Sequence, residues 1–177
     1  VQILWVNMIS AVTLALALAF EPPEPGVMRR PPRDPREPLL SGFLLWRVGF
    51  VSFLLTAGTL AVFFREEAGG ASIEEARTAA VNTLVLFEIF YLLNTRFLFS
   101  PSFTRRGMTG NRAVWYASAL VLAFQLLFTY APPMGFLFGT APLGASVWLT
   151  MVPVASTVFV AIEIEKFLLG KGRGRGA

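Results

Sequence analysis

Five separate apolar stretches, each long enough to cross a bilayer as a helix, constrain this chain more than any other feature. A hydrocarbon core about 30 Å thick takes roughly 20 helical residues, and residues 1–20, 40–64, 79–99, 113–130 and 145–168 meet that length. Backbone N–H and C=O groups find no water inside lipid, so a spanning segment satisfies them as a helix or within a closed barrel. None of the five alternates polar and apolar residues with the period of two that a barrel strand requires. The expected fold is all-α, a polytopic transmembrane helical bundle with five spans. Composition agrees: 55% hydrophobic residues and a mean hydropathy of +0.62 are too apolar for a water-soluble domain of 177 residues.

Two residue types are missing altogether. Without cysteine there is no disulfide framework and no thiolate metal site, and without histidine the usual neutral-pH base and metal ligand is gone. The first stretch lacks the basic start and small-residue cleavage site of a signal peptide, so it reads as a true span. Beginning on Val1 in mid-pattern, the sequence reads as a piece of a longer chain.

The basic residues set an orientation. The first connection, residues 21–39, carries Arg29, Arg30, Arg33 and Arg36, and the third carries Arg96, Arg105, Arg106 and Arg112. The second is acidic on balance, with Glu66, Glu67, Glu74 and Glu75 against Arg65 and Arg77; the fourth is uncharged. The tail adds Lys166, Lys171, Arg173 and Arg175. By the positive-inside rule the first and third connections and the C-terminus are cytoplasmic, and the N-terminus of this chain lies outside. Topology thus explains the net charge of +4, and the expected partner is the lipid bilayer, with no nucleic acid required. Residues 170–177, glycine-rich and basic, are expected to be disordered and at most to touch anionic headgroups.

Polar groups inside the spans carry the functional information. A carboxylate at the centre of a membrane helix costs about 2.5–3.5 kcal/mol on insertion scales, and Glu88 is the acid placed there. Tyr91 and Thr95 follow it at helical spacing, so a polar stripe is expected to face the bundle. Two readings fit Glu88: a cation ligand or proton carrier, and a protonated acid hydrogen-bonded to a neighbouring helix. Asn7 and Ser10, three residues apart and continued by Thr13, are expected on one face, where neutral oxygens suit a hard cation and serve equally as interhelical glue. Glu163 and Glu165 sit near the end of the last span beside Lys166, and a structural role is favoured for Glu163. Gly49, Gly58, Ala57 and Ala61 suggest close helix packing. The first connection holds seven of the twelve prolines, so it should be stiff and non-helical, either a spacer or a force-bearing link.

The run "ILWVNMISAVTLALALAFEPPEPGVMRRPPR" resembles the sixth membrane span and following loop of P-type cation-transporting ATPases of the calcium-pump type. "LFEIFYLLNTR" resembles the eighth span and "IEIEKFL" the end of the tenth. The resemblance implies the C-terminal membrane half of an ATP-driven cation pump, completed by the remaining spans and cytoplasmic domains of the parent protein. It implies that Asn7, Ser10 and Glu88 hold the transported cation, Ser10 standing where the family has Thr. It also implies that Glu21, Pro22, Pro23, Arg29, Arg30, Pro31 and Pro32 belong to the loop coupling the membrane to the phosphorylation domain. The parent pump would use ATP and Mg2+; this chain, which lacks the D-K-T-G and T-G-E motifs, needs no cofactor and hydrolyses no ATP alone. The plasma membrane is the implied location.

One departure bears on the ion. The calcium pumps read W-V-N-x-x-T-D where this chain reads "WVNMISA", so Ala11 replaces the family's Asp. The family's following Gly and Pro, which help unwind the span, are absent from residues 1–20, so an unbroken helix is expected, and one ion or a monovalent ion fits as well as two calcium ions. Two readings of other classes compete: a non-catalytic membrane scaffold from a truncated or split pump gene, and an unrelated five-span proton or cation carrier.

Overall fold

The structure, a computed structural model, describes residues 1–21, 42–95 and 111–173. Five of its helical segments are long and apolar enough to cross a membrane: Gln2–Ala19, Gly42–Ala68, Ile73–Thr95, Arg112–Tyr130 and Ala145–Leu168. The first comprises α1 (Gln2–Val6), a π-helical turn (Asn7–Ala11) and α2 (Val12–Ala19). The others are α3 (Gly42–Ala68), α4 (Ile73–Thr95), α5 (Arg112–Tyr130) and α7 (Ala145–Arg173), with a two-turn helix, α6 (Pro132–Phe138), between α5 and α7. No strand occurs among the described residues. Pro22, Pro23, Arg29, Arg30, Pro31 and Pro32 of the expected coupling loop lie outside them.

Local chemistry sets the ends. α4 starts at Ile73, six residues ahead of the expected residue 79, because Ser72 and Glu75 form a capping box: the Ser72 N–H donates to Glu75 Oε2 (2.8 Å) and the Glu75 N–H to Ser72 Oγ (3.2 Å). Gly70, at φ +84°, makes the sharp reversal from α3 that a side chain would disfavour. Asn111 caps α5, its Oδ1 accepting from the Ala113 N–H at 2.9 Å. In the uncharged fourth connection Pro132 and Pro133 open α6, where a missing N–H costs nothing, and Gly139 closes it in the left-handed region. α7 runs on to Arg173, beyond residue 170 where the glycine-rich tail was expected to leave it; extending a formed helix costs far less than starting one.

The third span is the hub. α4 buries Ala76, Ala79, Val85, Phe87 and Leu92 around much of its circumference, as a helix enclosed by others does. On one side Phe87 joins Val51 and Val62 of α3 and Met151 and Val158 of α7; on the other Val85 and Leu92 meet Val6 and Leu14 of the first span and Val114 and Val121 of α5. Leu45, Phe53, Tyr116 and Leu149 point outward, where lipid rather than water is their natural solvent. Gly58 sits against Phe87 and Val154, as close packing requires, whereas among the described residues Gly49 meets nothing within 4 Å and Ala57 and Ala61 are exposed.

Candidate functional site

The first span is the continuous helix its composition suggested, Gln2–Ala19, but it is not a regular one. Without Gly or Pro, it still opens into a π turn over Asn7–Ala11, the stretch that carries the polar residues. Such turns insert an extra residue into the helical ladder and occur often at functional sites. The Ser10 hydroxyl donates to the Val6 carbonyl at 2.8 Å, giving a backbone oxygen a side-chain partner inside the widened turn. The turn also alters the face. In a regular helix residues three apart lie about 60° from one another around the axis; here Ser10 is buried, Thr13 half-buried and Asn7 exposed. The face turned into the bundle is instead Val6, Ser10, Leu14 and Ala17.

Across that interface stands Glu88. Its carboxyl meets the Ser10 hydroxyl, so the two predicted residues are brought together from the first and third spans. Glu88 Oε2 is shielded and accepts no hydrogen bond among the described residues. An unpaired carboxylate oxygen at membrane depth is costly; a proton or a cation would complete it. Asn7 does not join the pair. The expected polar stripe divides as well: Tyr91 and Thr95 line a cavity of about 150 Å³ with Arg47 and Asn94, between α3, α4 and α7.

Three acidic or other metal-ligating side chains do not come together anywhere among the described residues. What this chain offers a cation at the Ser10–Glu88 interface is one carboxylate and one hydroxyl. That set is poor for a cation needing six to eight oxygens and adequate as a contribution to a larger site.

A second group of charges is tied together at the opposite end of α4 from Ser72. Glu163 pairs with Lys166 at 3.0 Å, consistent with a structural role, and Arg47 pairs with Glu165 at 2.9 Å. Lys166 is only 3% exposed and also donates to Asn94. At the same end Asn111 Nδ2 donates to the Ala17 carbonyl (3.2 Å) and to Glu21 Oε2 (2.8 Å), so the start of α5 holds the end of the first span where the proline-rich connection begins. Sequence reasoning missed Arg47 and Asn111, and set Lys166 beside Glu163 without foreseeing its burial. Arg47, a lone charge inside "GFLLWRVGF", was a visible signal; Asn111 reads only as a helix cap, and nothing marks Lys166 as buried.

Comparison with known proteins agrees with this architecture. The family described as "Cation transporting ATPase, C-terminus" matches residues 1–168. The chain is 43% identical over 167 residues to "Probable cation-transporting ATPase F" of Mycobacterium tuberculosis, covering 94% of this chain and 18% of that protein. It is 36% identical over 176 residues to "Calcium-transporting ATPase type 2C member 2" of Mus musculus (94% and 18%). It is 33% identical over 173 residues to "Cation-transporting ATPase pma1" of Synechocystis (93% and 19%). The chain spans less than a fifth of the length of these relatives. That match sets aside the unrelated five-span carrier. A five-span helical membrane segment with this match along nearly its whole length belongs to the C-terminal region of the P-type cation-transporting ATPases.

Proposed function

We propose that this chain is the C-terminal part of the membrane domain of an ATP-driven cation pump, and that Glu88 and Ser10 supply part of the site for the transported cation. The single observation that carries the reading is Glu88 Oε2, buried without a hydrogen-bond partner among the described residues, beside the Ser10 hydroxyl and the π turn. A dehydrated hard cation replaces the missing partner and brings the charge the carboxylate lacks. Asn7, exposed on the outer side of the same turn, is available to the cation from the direction of spans that precede this chain. With one carboxylate here, the other ligands come from those spans or the cation carries less charge than two calcium ions would.

The rest of the cycle belongs to the full-length protein. ATP and Mg2+ act in its cytoplasmic domains, and residues 21–39 link them to the first span. Asn111 fixes the root of that link through Glu21 and Ala17, so a push on the connection moves the π turn about two helical turns above it. The basic connections and tail face the cytoplasm, and the plasma membrane is the proposed location.

The reading is tested by cation-activated phosphorylation of the full-length protein with Ca2+, Mn2+, Na+ and K+. Glu88→Gln and Asn7→Ala are expected to raise the half-activating concentration of the transported cation at least tenfold, while Glu163→Gln shifts it less than threefold. Wild-type apparent affinity in the Glu88 variant would remove the assignment.

A further inference from the structure

The helix that carries Glu88 is tied to α7 by Lys166. Its Nζ donates to the Asn94 carbonyl at 3.0 Å and to Asn94 Oδ1 at 3.3 Å, and lies 3.0 Å from Glu163 Oε1. Asn94 reaches back: its Nδ2 donates to the Phe159 carbonyl at 3.1 Å. One residue of α4 is therefore held at two points of α7 that are seven residues, about 10 Å, apart along the axis.

Stability alone does not account for an ammonium in this position. Lys166 is 3% exposed, and burying an ion pair is on balance no better than packing an apolar side chain of the same volume. The difference lies in what each fixes. Apolar side chains gain little by meeting one another instead of lipid tails that are as apolar as they are; an ammonium with two placed acceptors on Asn94 adds a directional constraint on register. Two anchor points fix both the depth and the rotation of α4 against α7. Glu88 lies six residues, about 9 Å, from Asn94 on the same rigid helix, so its height against Ser10 follows from the clamp.

We propose that Lys166 and Asn94 are positioning residues for the cation site, a conclusion that rests on the assignment of Glu88 as a ligand. The test uses the full-length pump in membranes, with whichever of Ca2+, Mn2+, Na+ and K+ activates wild-type phosphorylation. Half-activating concentration and maximal phosphoenzyme per inserted pump are both measured. Lys166→Met keeps length and apolar volume; it should raise the half-activating concentration about tenfold, a coupling of ordinary size, and leave the maximum per inserted pump near wild type. Asn94→Leu, which keeps the Lys166–Glu163 pair and gives a second reading if the first variant inserts poorly, should shift affinity in the same direction. Wild-type affinity in these variants, with or without a lower maximum, overturns the proposal and makes the clamp merely structural. Glu88→Gln separates the two levels: if it too retains wild-type affinity, the site reading fails; if it alone shifts, only the clamp fails.

Discussion

Replacing Gly58 by Ala tests the packing that holds the third span in place. A Cβ built on Gly58 would lie 2.5 Å from Phe87 Cζ, 2.7 Å from Phe87 Cε2 and 3.2 Å from Val154 Cγ1. Phe87 is fully buried and joined to α3 and α7 side chains, so its ring has no free direction in which to withdraw. Overpacking of this kind costs about 1–3 kcal/mol. Gly49→Ala, on the same helix with nothing within 4 Å, is the control. Both variants gain the same helix propensity, up to about 1 kcal/mol, so the difference between them isolates the clash. Thermal midpoints of the full-length protein in detergent, followed by size-exclusion chromatography, should place Gly58→Ala roughly 2–12 °C below Gly49→Ala, from about 2–4 °C per kcal/mol for a unit of this size. Phe87→Leu should restore part of that loss in the Gly58→Ala background, as contacting residues do. Because Phe87 immediately precedes Glu88, Gly58→Ala should also weaken cation activation while Gly49→Ala leaves it unchanged. Equal midpoints for the two alanine variants would refute the argument, since the close approach of α3 to α4 would then not be a real constraint.

Two further outcomes are expected. The side chains of Arg47 and Glu165 are 6% and 14% exposed, so removing one partner leaves a buried charge: Arg47→Met and Glu165→Gln should each destabilise by about 3–5 kcal/mol, and the double variant by clearly less than their sum, as measured by the same midpoints. Asn111→Ala removes the α5 cap and the bonds to Ala17 and Glu21; a loss of about 1–2 kcal/mol is expected, together with faster proteolysis of the connection after Glu21, and an unchanged cleavage rate would show that Asn111 does not hold its root.

The class and the count of spans were legible because lipid imposes a length and an apolarity that any segment must meet on its own. Glu88 stood out for the same reason, as a carboxyl whose cost is set by depth alone. Facing was less legible. Asn7 and Ser10 share a face only if the helix is regular, and the π turn over Asn7–Ala11, which no Gly or Pro announces, buries Ser10 and leaves Asn7 exposed. Tyr91 and Thr95 follow Glu88 at helical spacing yet line a different cavity, between α4, α3 and α7. Gly49 and Gly58 are the same residue in the same helix, and only the neighbour Phe87 distinguishes them.

By itself the sequence determined that the chain crosses a membrane as five helices, that its basic connections alternate with poor ones, and that an acid lies at depth in the third span. These are properties of each segment against its solvent. The tertiary structure alone decided that Glu88 meets Ser10 rather than Asn7, that Lys166 ties Asn94 of α4 to α7, and that Asn111 holds the root of the proline-rich connection. Each of those pairs two residues far apart in the chain, and such pairing depends on the depth and rotation at which neighbouring helices lock, which apolar periodicity leaves free.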